Sequence, residues 1–212
     1  KMEAENIYSS SEFEAAFVAE FGMGSRELSS AFDIITRTAL QRGEDYAAMP
    51  RTDFEELLST SVSSSRTVIA QFVDSFSLSP RGTWDPASTD VPRDIYPWRY
   101  NRDSSLLARP LLRQAPSQQA EIILWGPRQV DASARHLFGR IETGVYKART
   151  DKMKSLMGVL SALRGKHFEQ SVAHWCRQGY PAASVITNLN IGPGERLEAD
   201  EVLGDIDVLV LD

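Results

Sequence analysis

Between Asp151 and Gln178 the chain runs without a proline, and apolar side chains recur at helical spacing: Leu156, Met157, Leu160, Leu163, Phe168, Val172 and Trp175. This is the strongest periodic signal in the sequence, and it predicts one long helix with a broad apolar face. Gly179 is expected to end it as the C′ residue, with Pro181 just beyond. Ser184–Leu189 then reads as a short strand and Gly192-Pro193-Gly194 as a hairpin turn. Asp205–Leu211 alternates and then runs apolar, like a strand in a buried sheet.

Upstream, residues 10–46 read as helical. Ser10 or Ser11 can cap, and Phe13, Phe17 and Phe21 recur four apart. After Gly22 and Gly24 a second apolar series follows, Leu28, Phe32, Ile35 and Leu40. Pro50 and Thr52-Asp53 restart a helix through Phe54, Leu57 and Leu58, and Ser61–Phe76 continues the periodicity. Leu57–Phe72 has a loose helix-turn-helix pattern without the turn glycine, so a plain helical hairpin is the favoured reading. The Pro-, Asp-, Ser- and Trp-rich block 78–105 reads as a long loop or linker. Leu106–Leu112 and Glu121–Trp125 suggest a β-hairpin, and Asp131–Tyr146 a further helix. The expected organisation is therefore a helical region 1–77, a loop 78–105, a hairpin plus helix 106–149 and a last segment 150–212.

Composition excludes some classes. No apolar run is long enough to span a bilayer. The first residues lack the basic-then-apolar layout of a secretion signal. Cys176 is the single cysteine, so no internal disulfide can form, and a cytoplasmic setting is expected. The net charge of −6 hides a segregation. Residues 1–92 hold 7 basic and 15 acidic side chains, residues 93–177 hold 15 and 7, and residues 178–212 hold 1 and 7. A basic middle beside an acidic end suits a phosphate-binding surface next to a metal-binding carboxylate cluster, and equally suits charge balance between packed segments.

Two carboxylates stand out. Gly158, Ala162, Gly165, Glu169, Ala173 and Cys176 form a small-residue stripe on the long helix, with Glu169 its one acid. The stripe is expected to face a packed neighbour. Asp207 lies between Ile206 and Val208 in the last strand, where burial would be costly without a counter-charge. In Gly165-Lys166-His167-Phe168-Glu169, Gly179-Tyr180 and Gly204-Asp205-Ile206-Asp207, residues 150–212 resemble the PD-(D/E)xK, or restriction-endonuclease-like, nuclease superfamily. Residues 1–149 carry none of that resemblance.

Together with the helical pattern read upstream, the resemblance implies an α+β chain: a mainly helical N-terminal region followed by a truncated α/β restriction-endonuclease-like core. It implies metal-dependent phosphodiester hydrolysis, with Mg²⁺ (or Mn²⁺) held by Asp207 as principal ligand and Glu169 as auxiliary ligand or water-orienting group. Lys152, Lys154, Arg164 and Lys166, on or near the Glu169 helix, would guide a nucleic-acid backbone. DNA is the expected partner and RNA the second candidate, with a protein partner for residues 1–149 and no membrane. Bacterial defence or DNA repair is the matching class of role. The family's (D/E)-x-K strand would lie beyond Asp212, so this sequence is expected to be an incomplete front half, with catalysis belonging to the intact parent. The runner-up is a binding or assembly module on a catalytically dead nuclease-like fold. A third reading makes Asp207 a turn former in a structural domain.

Other motifs fall away. There is no phosphate-binding P-loop, no G-x-S-x-G and no EF-hand spacing. His136, His167 and His174 lack a zinc-like arrangement. Trp98-Arg99-Tyr100-Asn101-Arg102 could stack bases, although a loop pinned by its aromatics is the favoured reading. Arg109, Arg113, Arg128, Arg135 and Arg140 are secondary candidates for phosphate contacts.

Overall fold

A computed structural model of the chain describes residues 7–41, 43, 45–78, 105–114 and 120–211. The fold is α+β. Among the described residues there are six helices: α1 (Ser11–Phe21), α2 (Ser25–Gln41), α3 (Arg51–Ser59), α4 (Arg66–Phe76), α5 (Pro127–Glu142) and α6 (Asp151–Gly179). The strands are β1 (Ala47–Pro50), β2 (Ser77–Leu78), β3 (Leu111–Gln114), β4 (Ile122–Trp125), β5 (Ser184–Ile191) and β6 (Gly204–Leu211). Most of the 78–105 block, including Trp98–Arg102, lies outside the described residues. The chain divides into two compact units, residues 1–157 and 158–212.

In the first unit, α1 starts where Ser10 Oγ accepts a hydrogen bond from the Phe13 N–H at 3.1 Å. It ends at Gly22, whose φ of +77° suits glycine, and a Cβ there would lie 3.2 Å from Val68 on α4. The four-residue phenylalanine spacing then explains the core. The Phe13 and Phe17 rings lie 4.8 Å apart, Phe17 reaches Phe138 on α5 at 6.2 Å, and Phe21 reaches Phe76 on α4 at 6.4 Å. Phe32 on α2 meets Phe76 edge-on at 5.0 Å.

The expected hairpin is present as antiparallel β3 and β4, and residues 105–108 form a turn before it. It sits in a four-stranded sheet of order β1-β4-β3-β2, with β1 antiparallel to β4 and β2 parallel to β3. Trp125, buried on the inner strand β4, donates its indole N–H to the Ile35 carbonyl at 2.9 Å and packs edge-on against Phe54. That ties the sheet to α2 and α3. A charge network fastens its edge: Arg51 bridges Glu55, Asp74 and Glu121, and Arg113 bridges Asp74 and Glu121. Burial opposes charge on Glu121, but hydrogen bonds from Arg113 and Arg51 hold its pKa below the ordinary value.

The second unit contains most of α6 followed by an antiparallel β5–β6 pair. Three expectations are corrected here. Gly179 is the last helical residue and has no positive φ, so it closes the helix from within and is not the C′ residue past its end. β6 pairs with β5 among the described residues, and its side chains are half-buried or exposed, not buried as in a covered sheet. The connection between β5 and β6 is longer than a tight turn. It begins Gly192–Glu195 with Gly194 at φ +74° and returns through the Leu203 N–H to the Ile191 carbonyl at 3.0 Å.

Candidate metal and nucleic-acid site

The helix that carries Glu169 buries two different faces along its length. Met153, Leu156, Met157 and Leu160 are buried. Further on, Ala173 and Cys176 are buried, with Glu169 and Val172 half-buried. At 3.6 residues per turn these two sets lie about 180° apart around the axis. The small-residue stripe therefore packs only in its second half. Gly158, Ala162 and Gly165 are exposed, and a Cβ at Gly158 or Gly165 would meet nothing. Glu169 stands where the packed half begins.

Asp207 has a different setting from the one its apolar neighbours suggest. Side chains alternate along β6, so Asp205 and Asp207 share one face while Ile206 and Val208 take the other. Asp207 is exposed, and Ile206 and Val208 are half-buried. The cost of burying a charge is thus not incurred, and the carboxylate is open to solvent and ions. Gly204, at the head of the G-D-I-D segment, has φ +116°, a conformation essentially restricted to glycine.

The ladder also marks this place. Thr187 pairs with Val208 and Leu189 with Ile206, so Asn188 lies opposite Asp207, at the one position where the β5–β6 pairing is interrupted. Asn188 has φ +53°, the single non-glycine residue with positive φ among those described. Left-handed backbone inside a strand is uncommon, and asparagine is among the residues that accept it most readily. Sequence reading missed Asn188, because nothing local distinguishes it from any polar strand residue.

The Glu169 and Asp207 side chains have no hydrogen-bond or ion-pair partner among the described residues. No group of three His, Cys, Asp or Glu side chains comes together there either. Each side chain is a hard carboxylate, the donor type that Mg²⁺ takes together with waters and substrate phosphate. Lys152, Lys154, Arg164 and Lys166 are all exposed. Lys154 is drawn to Asp151 at 3.1 Å, whereas Lys152, Arg164 and Lys166 have no acidic partner among the described residues. His167 and His174 are exposed on α6, and His174 contacts Gln178 at 3.0 Å.

The start of α6 is fixed by a residue that sequence reading left as an ordinary helical acid. The Glu20 side chain is 0% exposed. It accepts hydrogen bonds from the Thr150 N–H at 2.8 Å, the Thr150 hydroxyl at 2.7 Å, the Arg149 N–H at 3.0 Å and the Tyr146 hydroxyl at 3.2 Å. Burial opposes its charge, but the bonds from Arg149 and Thr150 prevail and hold its pKa below the ordinary value. Burial and the nearby Glu20 charge push Tyr146 up to about 12. Glu20 thereby supplies the negative charge and the acceptors that the N-terminus of a long helix favours.

The sequence model of the Upx-like family of anti-phage proteins matches residues 2–211, nearly the whole chain. The chain belongs to the Upx-like anti-phage protein family. No curated protein and no solved structure matches it. The family covers the helical first unit as well as the segment carrying Glu169 and Asp207, and it places this Upx-like chain in defence against phage. No helix among the described residues is long and apolar enough to cross a membrane.

Proposed function

We propose that this Upx-like chain serves phage defence as part of a metal-dependent nuclease, with DNA as substrate and RNA as the second candidate. The observation that carries the reading is Asp207, open to solvent on the second strand after the Glu169 helix, opposite the left-handed Asn188. Helix, strand and strand follow in the order that the resemblance to PD-(D/E)xK nucleases implies, and strained backbone inside a ladder is a recurrent mark of functional sites. Asp207 would be the principal ligand of Mg²⁺ or Mn²⁺. Glu169 would be an auxiliary ligand or hold a water for attack. A bound divalent cation supplies polarisation of a phosphoryl oxygen and a water of lowered pKa. Arg164 and Lys166, with Lys152, attract the phosphate backbone, and Lys154 contributes less because Asp151 already holds it.

The test uses the natural protein with supercoiled plasmid and with single-stranded DNA, each with Mg²⁺, Mn²⁺ or EDTA, beside Asp207→Asn. Cleavage that needs the metal and vanishes in the variant supports the nuclease. The second reading, a nucleic-acid-binding module without catalysis, draws on the lack of a three-ligand cluster among the described residues. DNA retained but never cut by the folded protein would establish that reading and overturn the first.

A further inference from the structure

A cavity of about 830 Å³ opens in the first unit, bordered by the ends of α1 and α4, by α5 and by residues 145–149. Its size falls in the range of small-molecule sites, roughly 300–1,000 Å³. Two chemistries line it. Phe21, Phe76 and Tyr146 form an aromatic side, with Phe21 5.8 Å from the Tyr146 ring and 6.4 Å from the Phe76 ring. Arg109, Arg140, Lys147 and Arg149 supply cations, and among the described residues no Asp or Glu lines the cavity.

The charges are unevenly committed. Arg149 is held by Glu20 at 3.3 Å. Arg140 donates to the Val145 carbonyl at 3.0 Å, which fixes the guanidinium without neutralising it. Arg109, Arg140 and Lys147 have no acidic partner among the described residues. His136 also lines the cavity, where burial and then the Arg140 charge push its pKa down. Like charges gathered on one concave surface are stabilised when a ligand brings the counter-charge. Guanidinium groups suit phosphate oxygens, and aromatic faces suit a nucleobase.

We infer that this cavity binds a nucleoside phosphate, its phosphates held by Arg109, Arg140 and Lys147 and its base set against Phe21, Phe76 and Tyr146. The site belongs to the first unit and does not depend on the role given to Asp207. Either a free nucleotide or the terminal nucleotide of a strand presents this chemistry.

Calorimetric titration of the natural protein in EDTA, with ATP and separately with a 5′-phosphorylated thymidine decamer, distinguishes the two sources. ATP binding supports the inference with a free nucleotide, and decamer binding that is lost with the 5′-phosphate, without ATP binding, supports it with a strand end. The double variant Arg109→Glu/Lys147→Glu weakens binding by about tenfold or more, through loss of two charge-assisted contacts. Arg37→Glu, on α2 outside the lining and paired with Asp33, changes it little. Lys147→Ala, at an exposed position, carries the same test with about a threefold loss should the double variant fail to fold. The inference is overturned if neither probe binds the folded protein, or if the folded lysine and arginine variants bind as tightly as wild type.

Discussion

Phe17 and Phe168 show how differently the two units use the same side chain. Phe17 is 0% exposed, with the Phe13, Phe21 and Phe138 rings around it. Phe168 is 70% exposed, as are Trp175 at 67% and Val202 at 82% in the same second unit. The first unit has an aromatic core, a four-stranded sheet and a buried carboxylate hub. The second has a helix, a two-stranded sheet and a short list of buried side chains, among them Leu160, Ala173, Cys176 and Leu189. A two-stranded sheet with so little apolar cover is only marginally stable. Stability thus resides in the first unit, while the carboxylates offered for chemistry stand exposed or half-buried in the second.

The largest effect should come from Phe17→Ala, which removes a fully buried ring and costs about 3–5 kcal/mol in urea unfolding. Phe168→Ala should change the same unfolding free energy by no more than about 0.5 kcal/mol. Equal losses would dissolve the contrast.

Glu20→Ala is next. It strands the Thr150 and Arg149 donors and should cost about 2–3 kcal/mol. The wild-type hub also predicts acid sensitivity. The Glu20 pKa is lowered from 4.5 on folding, so its contribution is complete above pH 4.5 and is lost as the pH falls through the lowered value. Glu121 shifts in the same direction and adds to the trend. Thermal melts between pH 6 and pH 3 should therefore show a steeper loss in wild type than in Glu20→Ala. Parallel curves would remove Glu20 from the account.

Trp125→Phe is a smaller perturbation. It keeps an aromatic ring and deletes the hydrogen bond to the Ile35 carbonyl, for a loss of about 1–2 kcal/mol. Amide exchange sharpens the comparison without mutation: β3 and β4 should protect their amides longer than β5 and β6. Faster exchange in β4 than in β6 would reverse it.

Much of this was legible in the sequence wherever the determinants are local. The phenylalanine spacing and Gly22 delimit α1, the proline-free apolar run marks α6, and the alternation after Gly204 marks β6. β1 was not legible, because Ala47-Ala48-Met49-Pro50 has no strand propensity of its own and becomes a strand by pairing with Ile122–Trp125. Glu20 was missed because an acid in a helix is exposed by default, and its partners lie well over a hundred residues away. The change of face along α6 was hidden by apolar residues spread around the whole helix. Asp207 was singled out for the wrong local reason, burial, since alternation on a two-stranded sheet leaves its face open. The cations of the cavity were visible only as scattered arginines until the fold gathered Arg109, Arg140 and Lys147.

Asp207 is proposed as an ion ligand on a unit that contributes little stability. Mn²⁺ titration of the natural protein, read by water-proton relaxation, tests it most directly when Asp207→Asn is measured beside it. Mn²⁺ should bind the wild-type protein, and the binding should be lost in Asp207→Asn at an unchanged melting temperature. Undiminished Mn²⁺ binding by the folded variant would contradict it.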